Sequence, residues 1–173
     1  MFYKDETLGL FIDGYATFNA AKSVDLHIDF SALKTEFMRR GKIKTLRYYS
    51  LLDKSDQESP IRPMLDWLSY NGFQVMTKQP HTFEDNTGQK RIKGTVDVEM
   101  AIDMMTYAQH LDHIVLFSGN RDLTYAGEMV QRHGVRLSVV STVKGVGFQC
   151  ADELRRQADN FIDLHELGDV ISK

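Results

Sequence analysis

Leu8-Gly9-Leu10-Phe11-Ile12 is an apolar run that stops abruptly at Asp13-Gly14. A short segment without charge fits a strand buried on both faces, and such strands lie at the centre of parallel sheets. Downstream, the chain keeps alternating between runs of this kind and segments of helical period. Ser31 is placed to cap a helix with Leu33, Phe37 and Met38 on one face, and Gly41 beyond Arg39-Arg40 stops it. Ile43 to Leu52 reads as a second strand, Ile61 to Tyr70 as a helix ended by Asn71-Gly72, and Phe73 to Thr77 as a third strand. The polar stretch from Lys78 to Gly94, with Pro80, Asn86 and Gly88 as turn formers, reads as an irregular excursion or a ragged hairpin. Val96 to His110 is a helix with Met100, Met104 and Tyr107 on one stripe and Val98, Ile102 and Met105 on another, both read mostly as core. Ile114 to Phe117, Val135 to Val140 and Phe161 to Leu164 complete the strands, separated by helices at Leu123 to His133 and Asp152 to Asn160. This alternation predicts an α/β fold with a mostly parallel central sheet and crossover helices.

A chain of 173 residues is long enough for one core, and no internal repeat or linker divides it, so a single domain over residues 1–173 is expected. No apolar run nears the roughly 20 residues that span a bilayer. The segment MFYKDETLGL carries no small-residue cleavage site of the signal-peptide kind. The expectation is a soluble, cytoplasmic protein with no membrane partner. Cys150 is the one cysteine, which excludes an internal disulfide or a thiolate metal cage and reads as a buried structural thiol. The net charge of −3 argues against coating nucleic acid by bulk electrostatics. A local patch at Lys90, Arg91 and Lys93 reads equally as a phosphate-binding segment or as a solvated hairpin edge. Tyr48, Tyr49 and Trp67 would mark a homodimer face if exposed, although single aromatic residues are more often core.

Carboxylates occur where a parallel sheet binds ligands, beyond the carboxyl ends of its strands. Asp13 ends the first strand in FIDG, Asp97 lies in KGTVDVEM at a helix start, and Asp122 follows the Ile114 strand in FSGNRD. If those strands are neighbours, the three converge. Oxygen ligands of this kind suit a hydrated Mg²⁺ or Mn²⁺, which would lower the pKa of a bound water and neutralise charge on a phosphoryl oxygen. Asp97 and Asp122 each read equally as helix caps. Asp13 is the stronger signal, because a charge closing an apolar strand has few structural reasons to be there, and Gly14 after it would let backbone approach a ligand. Asp103 lies about 240° around a regular helix from Asp97, so it either completes the site from a distorted helix start or, the reading favoured here, makes a supporting buried hydrogen bond.

FIDG at Phe11 to Gly14, SPIRPMLDWLSYNGF at Ser59 to Phe73, KGTVDVEMAIDM at Lys93 to Met104, FSGNRDL at Phe117 to Leu123, GVRLSVVST at Gly134 to Thr142 and ADELRRQADNFIDL at Ala151 to Leu164 occur in that order. Together they resemble the NYN or LabA-like branch of PIN-like metal-dependent ribonucleases, and the resemblance covers almost the whole chain. It implies a PIN-like, Rossmann-like three-layer sandwich whose acidic pocket holds Mg²⁺ or Mn²⁺ and cuts RNA, single-stranded RNA being the expected partner. By that resemblance Asp13, Asp97 and Asp122 hold the metal and Asn120 shares their pocket. Ser118, Gly119 and the segment Lys90, Arg91 and Lys93 would then contact substrate.

Two departures from the family pattern fall in the pocket. Members usually read DGxN after the first strand, and here the asparagine position is Ala16, with Asn19 a helical turn away as the nearest substitute. Members usually read SGDxDF, and here the first acidic position is Asn120 and the aromatic is Leu123. Asn120 keeps a carbonyl oxygen for a metal but removes one negative charge, which predicts weaker binding of a hard cation. The competing reading is therefore a catalytically reduced module that binds RNA or a protein partner. A nucleotide-cofactor oxidoreductase lacks its G-x-G-x-x-G, since only Gly145-Val146-Gly147 is comparable and it lies late. Haloacid-type phosphatase chemistry lacks its second aspartate, because that position is Tyr15.

Overall fold

The computed structural model describes residues 1–172, with Lys90 described in its backbone alone. The apolar run becomes β1 (Thr7–Asp13), and the chain turns directly into α1 (Gly14–Lys22). There follow α2 (Phe30–Arg40), β2 (Lys42–Leu51), α3 (Arg62–Tyr70) and β3 (Gln74–Lys78). A two-stranded antiparallel hairpin comes next, β4 (His81–Glu84) with β5 (Lys90–Lys93). The second half comprises α4 (Asp97–Ala108), β6 (His113–Phe117), a 3₁₀ turn (Arg121–Leu123), α5 (Thr124–Arg132), β7 (Arg136–Ser141), α6 (Asp152–Gln157), β8 (Asn160–Asp163) and α7 (Leu164–Ile171).

Six strands form one sheet in the order β3-β2-β1-β6-β7-β8, and every neighbouring pair is parallel. Successive side chains on a strand point to opposite faces, and β1 uses both. Leu8, Leu10 and Ile12 enter one core with Leu33 and Phe37 of α2, Leu68 of α3 and Leu167 of α7. Phe11 enters the other with Met100 and Met104 of α4, Val130 of α5 and Leu154 of α6. The result is helices on both faces of a buried parallel sheet, the layered α/β arrangement read from the alternation.

Tyr48 and Tyr49 are adjacent on β2, so one ring lies in each core, and neither marks a dimer face. Trp67 is partly exposed on α3. The Lys78 to Gly94 stretch is a real hairpin standing outside the main sheet. Asp29, not Ser31, caps α2: its carboxylate accepts from the Ser31 and Ala32 backbone N–H groups at 2.8 and 3.1 Å. Met38 is exposed, and so are Val98 and Ile102 on α4. The buried stripe of α4 is Met100, Met104 and Ala108, four residues apart, with Ala101, Met105 and Tyr107 partly buried beside it. No helix among the described residues is long and apolar enough to cross a membrane.

Candidate functional site

Strand order reverses at β1. The chain runs outward from it through β2 to β3, then returns to place β6 on its other side. A crevice opens beyond the carboxyl ends of two strands at such a switch point. Asp13 closes β1 and Ser118-Gly119-Asn120 follows β6, so both enter this crevice. A cavity of about 680 Å³ lies there, lined on its polar side by Asp13, Asp97, Asn120, Ser50, Thr95 and Gln149. Tyr15, Tyr49, Ile92 and Phe148 supply much of the apolar wall, and among the described residues no Lys, Arg or His lines it.

Asp13 is buried, and its carboxylate accepts the Ala16 backbone N–H at 3.0 Å, capping α1. Burial pushes its pKa up to about 6, the negative charge of Asp97 adds to the rise, and bonds from the Ala16 and Tyr15 backbone and from the Ser118 hydroxyl oppose it. α1 is held against the sheet by the Thr17 hydroxyl, which donates to the Phe117 carbonyl at 3.1 Å. Gly14 has a reason other than ligand approach. A Cβ there would stand 2.5 Å from the Tyr48 hydroxyl oxygen, so the glycine lets the first turn of α1 pass over that ring.

Asp97 opens α4 and is buried. Asn120 Nδ2 donates to Asp97 Oδ2 at 2.9 Å, whereas Asp97 Oδ1 is buried without a partner among the described residues. Asn120 Oδ1 is occupied as well, accepting the Asp122 backbone N–H at 3.1 Å and so capping the 3₁₀ turn. That cap fixes the amide orientation, because a flipped amide would set two donors against each other. The asparagine therefore turns its NH₂ to the site and keeps its carbonyl oxygen for the turn, against the expectation that it would offer that oxygen to a metal.

Asp122 does not join the pair. Its side chain is exposed and outside the cavity, because the 3₁₀ turn directs its peptide N–H inward to Asn120 and its carboxylate outward. Among the described residues no group of three or more His, Cys, Asp or Glu side chains is placed to hold a metal. Asn19 also lies outside, its amide donating to the Tyr15 carbonyl at 2.8 Å within α1. Gly119 lines the cavity, while Ser118 is buried behind it and accepts the Asn120 backbone N–H at 3.1 Å. In the basic segment, Arg91 is paired with Asp85 at 2.8 Å and Lys93 is exposed on the hairpin. The side chain of Lys90 lies outside the described residues. Of the described side chains in that segment, Ile92 lines the cavity, and Arg91 and Lys93 do not.

Asp103 takes the supporting role. Its Oδ2 accepts from Arg47 Nη2 at 2.9 Å and from the Tyr49 hydroxyl at 2.7 Å, and Tyr49 walls the cavity. The Arg47 guanidinium also stacks over the Tyr107 ring at 4.9 Å. Asp103→Ala is expected to cost about 2 kcal/mol in chemical denaturation, since it removes the counter-ion of a mostly buried guanidinium, which keeps its bonds to Tyr49, Gln74 and Tyr107, while Asp103 itself has some solvent contact. A loss below about 0.5 kcal/mol would show the network to be idle.

The donors fit a hard cation. Two carboxylates, one raised in pKa and the other with an unpartnered oxygen, are what a hydrated Mg²⁺ or Mn²⁺ uses when it keeps several waters. Tyr15, Tyr49, Ser50, Ile92, Phe148 and Gln149 escaped the sequence reading as site residues. Tyr15 alone carried a signal, standing two residues past Asp13.

The NYN domain family matches residues 7–166. Low amplitude and bright protein LabA from Synechococcus elongatus (strain ATCC 33912 / PCC 7942 / FACHB-805) is 32% identical over 178 aligned positions, which cover all of this chain and 91% of that protein. A crystal structure of VPA0982 from Vibrio parahaemolyticus RIMD 2210633, a protein of unknown function, superposes with a TM-score of 0.75 at 19% identity, covering 95% of this chain and 96% of the other. At that identity the likeness shows the fold alone.

Proposed function

The chain belongs to the NYN domain family, whose members are generally nuclease-like, and on that premise we propose that it hydrolyses RNA phosphodiesters with a weakly held Mg²⁺ or Mn²⁺. One observation carries the proposal. Among the described residues, Asp13 and Asp97 share a cavity lined by no cationic side chain, and Asp97 Oδ1 is buried without a partner. A buried carboxylate oxygen without a donor is costly, and a divalent cation removes the cost. Asp13 and Asp97 would hold that cation, which supplies an activated water and neutralises charge on the phosphoryl oxygens. The Ser118 hydroxyl and the N-terminus of α1 fix the direction in which Asp13 presents its oxygens. Asn120 holds Asp97 in place, and its neutral amide leaves the pocket one charge short of a three-carboxylate site, so the affinity should be modest.

The second reading is a module that binds RNA or a protein partner without cutting, and the Asn120 to Asp97 hydrogen bond favours it by satisfying one carboxylate without metal. The test is cleavage of a labelled single-stranded RNA in Mn²⁺, in Mg²⁺ and in chelator, with Asp13→Asn purified in parallel against contaminating nuclease. Metal-dependent cutting by the native chain alone is the expected result. Equal cutting by both proteins, or none in any metal, would turn the assignment to the binding module.

A further inference from the structure

Tyr15 and Phe148 come from distant parts of the chain, α1 and the loop after β7, yet both line the cavity that holds Asp13 and Asp97. Their rings meet edge to face with centroids 6.4 Å apart and planes at 72°. Both remain open to water, Tyr15 at 71% and Phe148 at 39%. Exposed aromatic rings at the mouth of a cavity that holds two carboxylates forgo the burial that normally stabilises such residues, and they are the usual platform on which bases of single-stranded nucleic acid stack.

The ring positions are built into the fold. The loop carrying Phe148 is tied at both ends, with Cys150 N–H donating to the Thr142 carbonyl at 2.8 Å and Val143 N–H to Asp163 Oδ2 at 3.1 Å. Gln149 Nε2 closes it further on the Val143 carbonyl at 3.2 Å. Gly145 seats the loop against Ser23, just past the end of α1, at a distance that no side chain could share. The first turn of α1 places the Tyr15 backbone two residues from Asp13, and its ring meets Phe148. Lys144 in the same loop is exposed and has no ion pair among the described residues, a suitable contact for an adjoining phosphate.

We propose that Tyr15 and Phe148 form a base clamp, which stacks the unpaired base beside the phosphodiester that enters the cation site of Asp13 and Asp97 and so restricts the site to single-stranded RNA. This rests on the reading of the site as RNA-binding. A paired base keeps its faces covered by neighbours in the duplex and cannot enter. Stacking does not distinguish one base from another, so the preference is for strandedness rather than sequence.

The test is fluorescence anisotropy in chelator, where no metal-dependent cutting runs, with a single-stranded oligouridylate, the matching abasic strand and an RNA duplex. The native chain should favour the base-bearing strand over the other two. Tyr15→Ala and Phe148→Ala should each weaken its binding by about 5- to 100-fold, the range that one base stack commands, and Tyr15→Phe should retain it. Both side chains are exposed, so the melting temperatures should stay near native. Alanine variants that bind like the native chain, equal binding of the abasic strand, or no RNA binding at all would overturn the clamp. Dimerisation of the native chain that Phe148→Ala abolishes, without RNA binding, would overturn it in favour of a protein interface. If base-dependent binding follows the variants but no metal supports cutting, the clamp stands and the hydrolytic reading falls. If cutting occurs and the alanine variants bind and cut as the native chain does, only the clamp falls.

Discussion

Asp13→Asn should abolish metal-dependent cleavage, by about 10²- to 10⁴-fold, and at the same time make the metal-free protein more stable by up to about 3 kcal/mol at pH 7. The first effect follows from removing one of two anionic ligands from a cation that contributes several kcal/mol to the transition state. The second follows from the buried carboxylate, whose pKa rises from the ordinary 3.8 to about 6. A raised carboxylate pKa means that the folded chain holds its proton longer than the unfolded chain does. Below about pH 4 both states are protonated and no penalty exists. Between about pH 4 and 6 the unfolded state ionises first and gains, and above about pH 6 the full penalty applies, equivalent to about 3 kcal/mol for that separation of pKa values. Asparagine does not ionise, and it caps a helix as well as aspartate does, so the Ala16 bond survives. Urea denaturation in chelator across pH 4 to 8 should show the native chain losing stability over this window and the variant not. Saturating Mn²⁺ should then narrow or reverse the gap, because only the native chain gains binding free energy. A variant no more stable than native at pH 7 would mean that Asp13 is not held in an unfavourable ionised state.

The sheet was legible because β1 writes its surroundings into its composition. Leu8, Leu10, Ile12 and Phe11 are apolar on both faces, which only a central parallel strand requires. Asp13 was legible for the same reason, as the one charge closing that strand. What periodicity could not supply was direction. Val98 and Ile102 belong to a respectable helical stripe, but the sheet takes the stripe of Met100 and Met104, and nothing local to α4 distinguishes the two. Asp122 lies in a 3₁₀ turn, where each step rotates the side chain by about 120°, so its place after β6 in the sequence does not fix which way its carboxylate points. α1 carries small residues at its buried positions, Gly14, Thr17, Ala20 and Ala21, and so lacks the large apolar stripe that announces a helix. Gly14 answers to Tyr48, a residue far along the chain, and contacts of that range leave no trace in a local pattern. The aromatic wall of Tyr15 and Phe148 was hidden similarly, since the loop after β7 meets α1 only through the tertiary fold.

Asn120→Asp is the substitution that separates a weakened nuclease from a binding module, and it should act in opposite directions with and without metal. An aspartate would keep one oxygen on the Asp122 N–H and turn the other toward Asp97 Oδ2, where the amide now donates at 2.9 Å. A hydrogen bond thereby becomes a contact between two carboxylates. Two like charges 4 Å apart repel by about 4 kcal/mol at an effective dielectric of 20. Partial relaxation and a shared proton would leave a loss of about 2 kcal/mol in chelator at pH 7. The loss should shrink toward pH 5, since protonating one member of the pair restores a donor between them. With Mn²⁺ present the added charge becomes a ligand, so the metal-induced rise in melting temperature should exceed that of the native chain and cleavage should increase about 10- to 100-fold. A stability loss that Mn²⁺ repairs, with no gain in cleavage, would identify a metal-binding pocket that does not hydrolyse, and would move the assignment to the RNA-binding module. A variant whose stability ignores both chelator and Mn²⁺ would remove the cation from this site altogether, because the charge conflict set up at Asp97 leaves a bound cation as the one partner able to resolve it above pH 7.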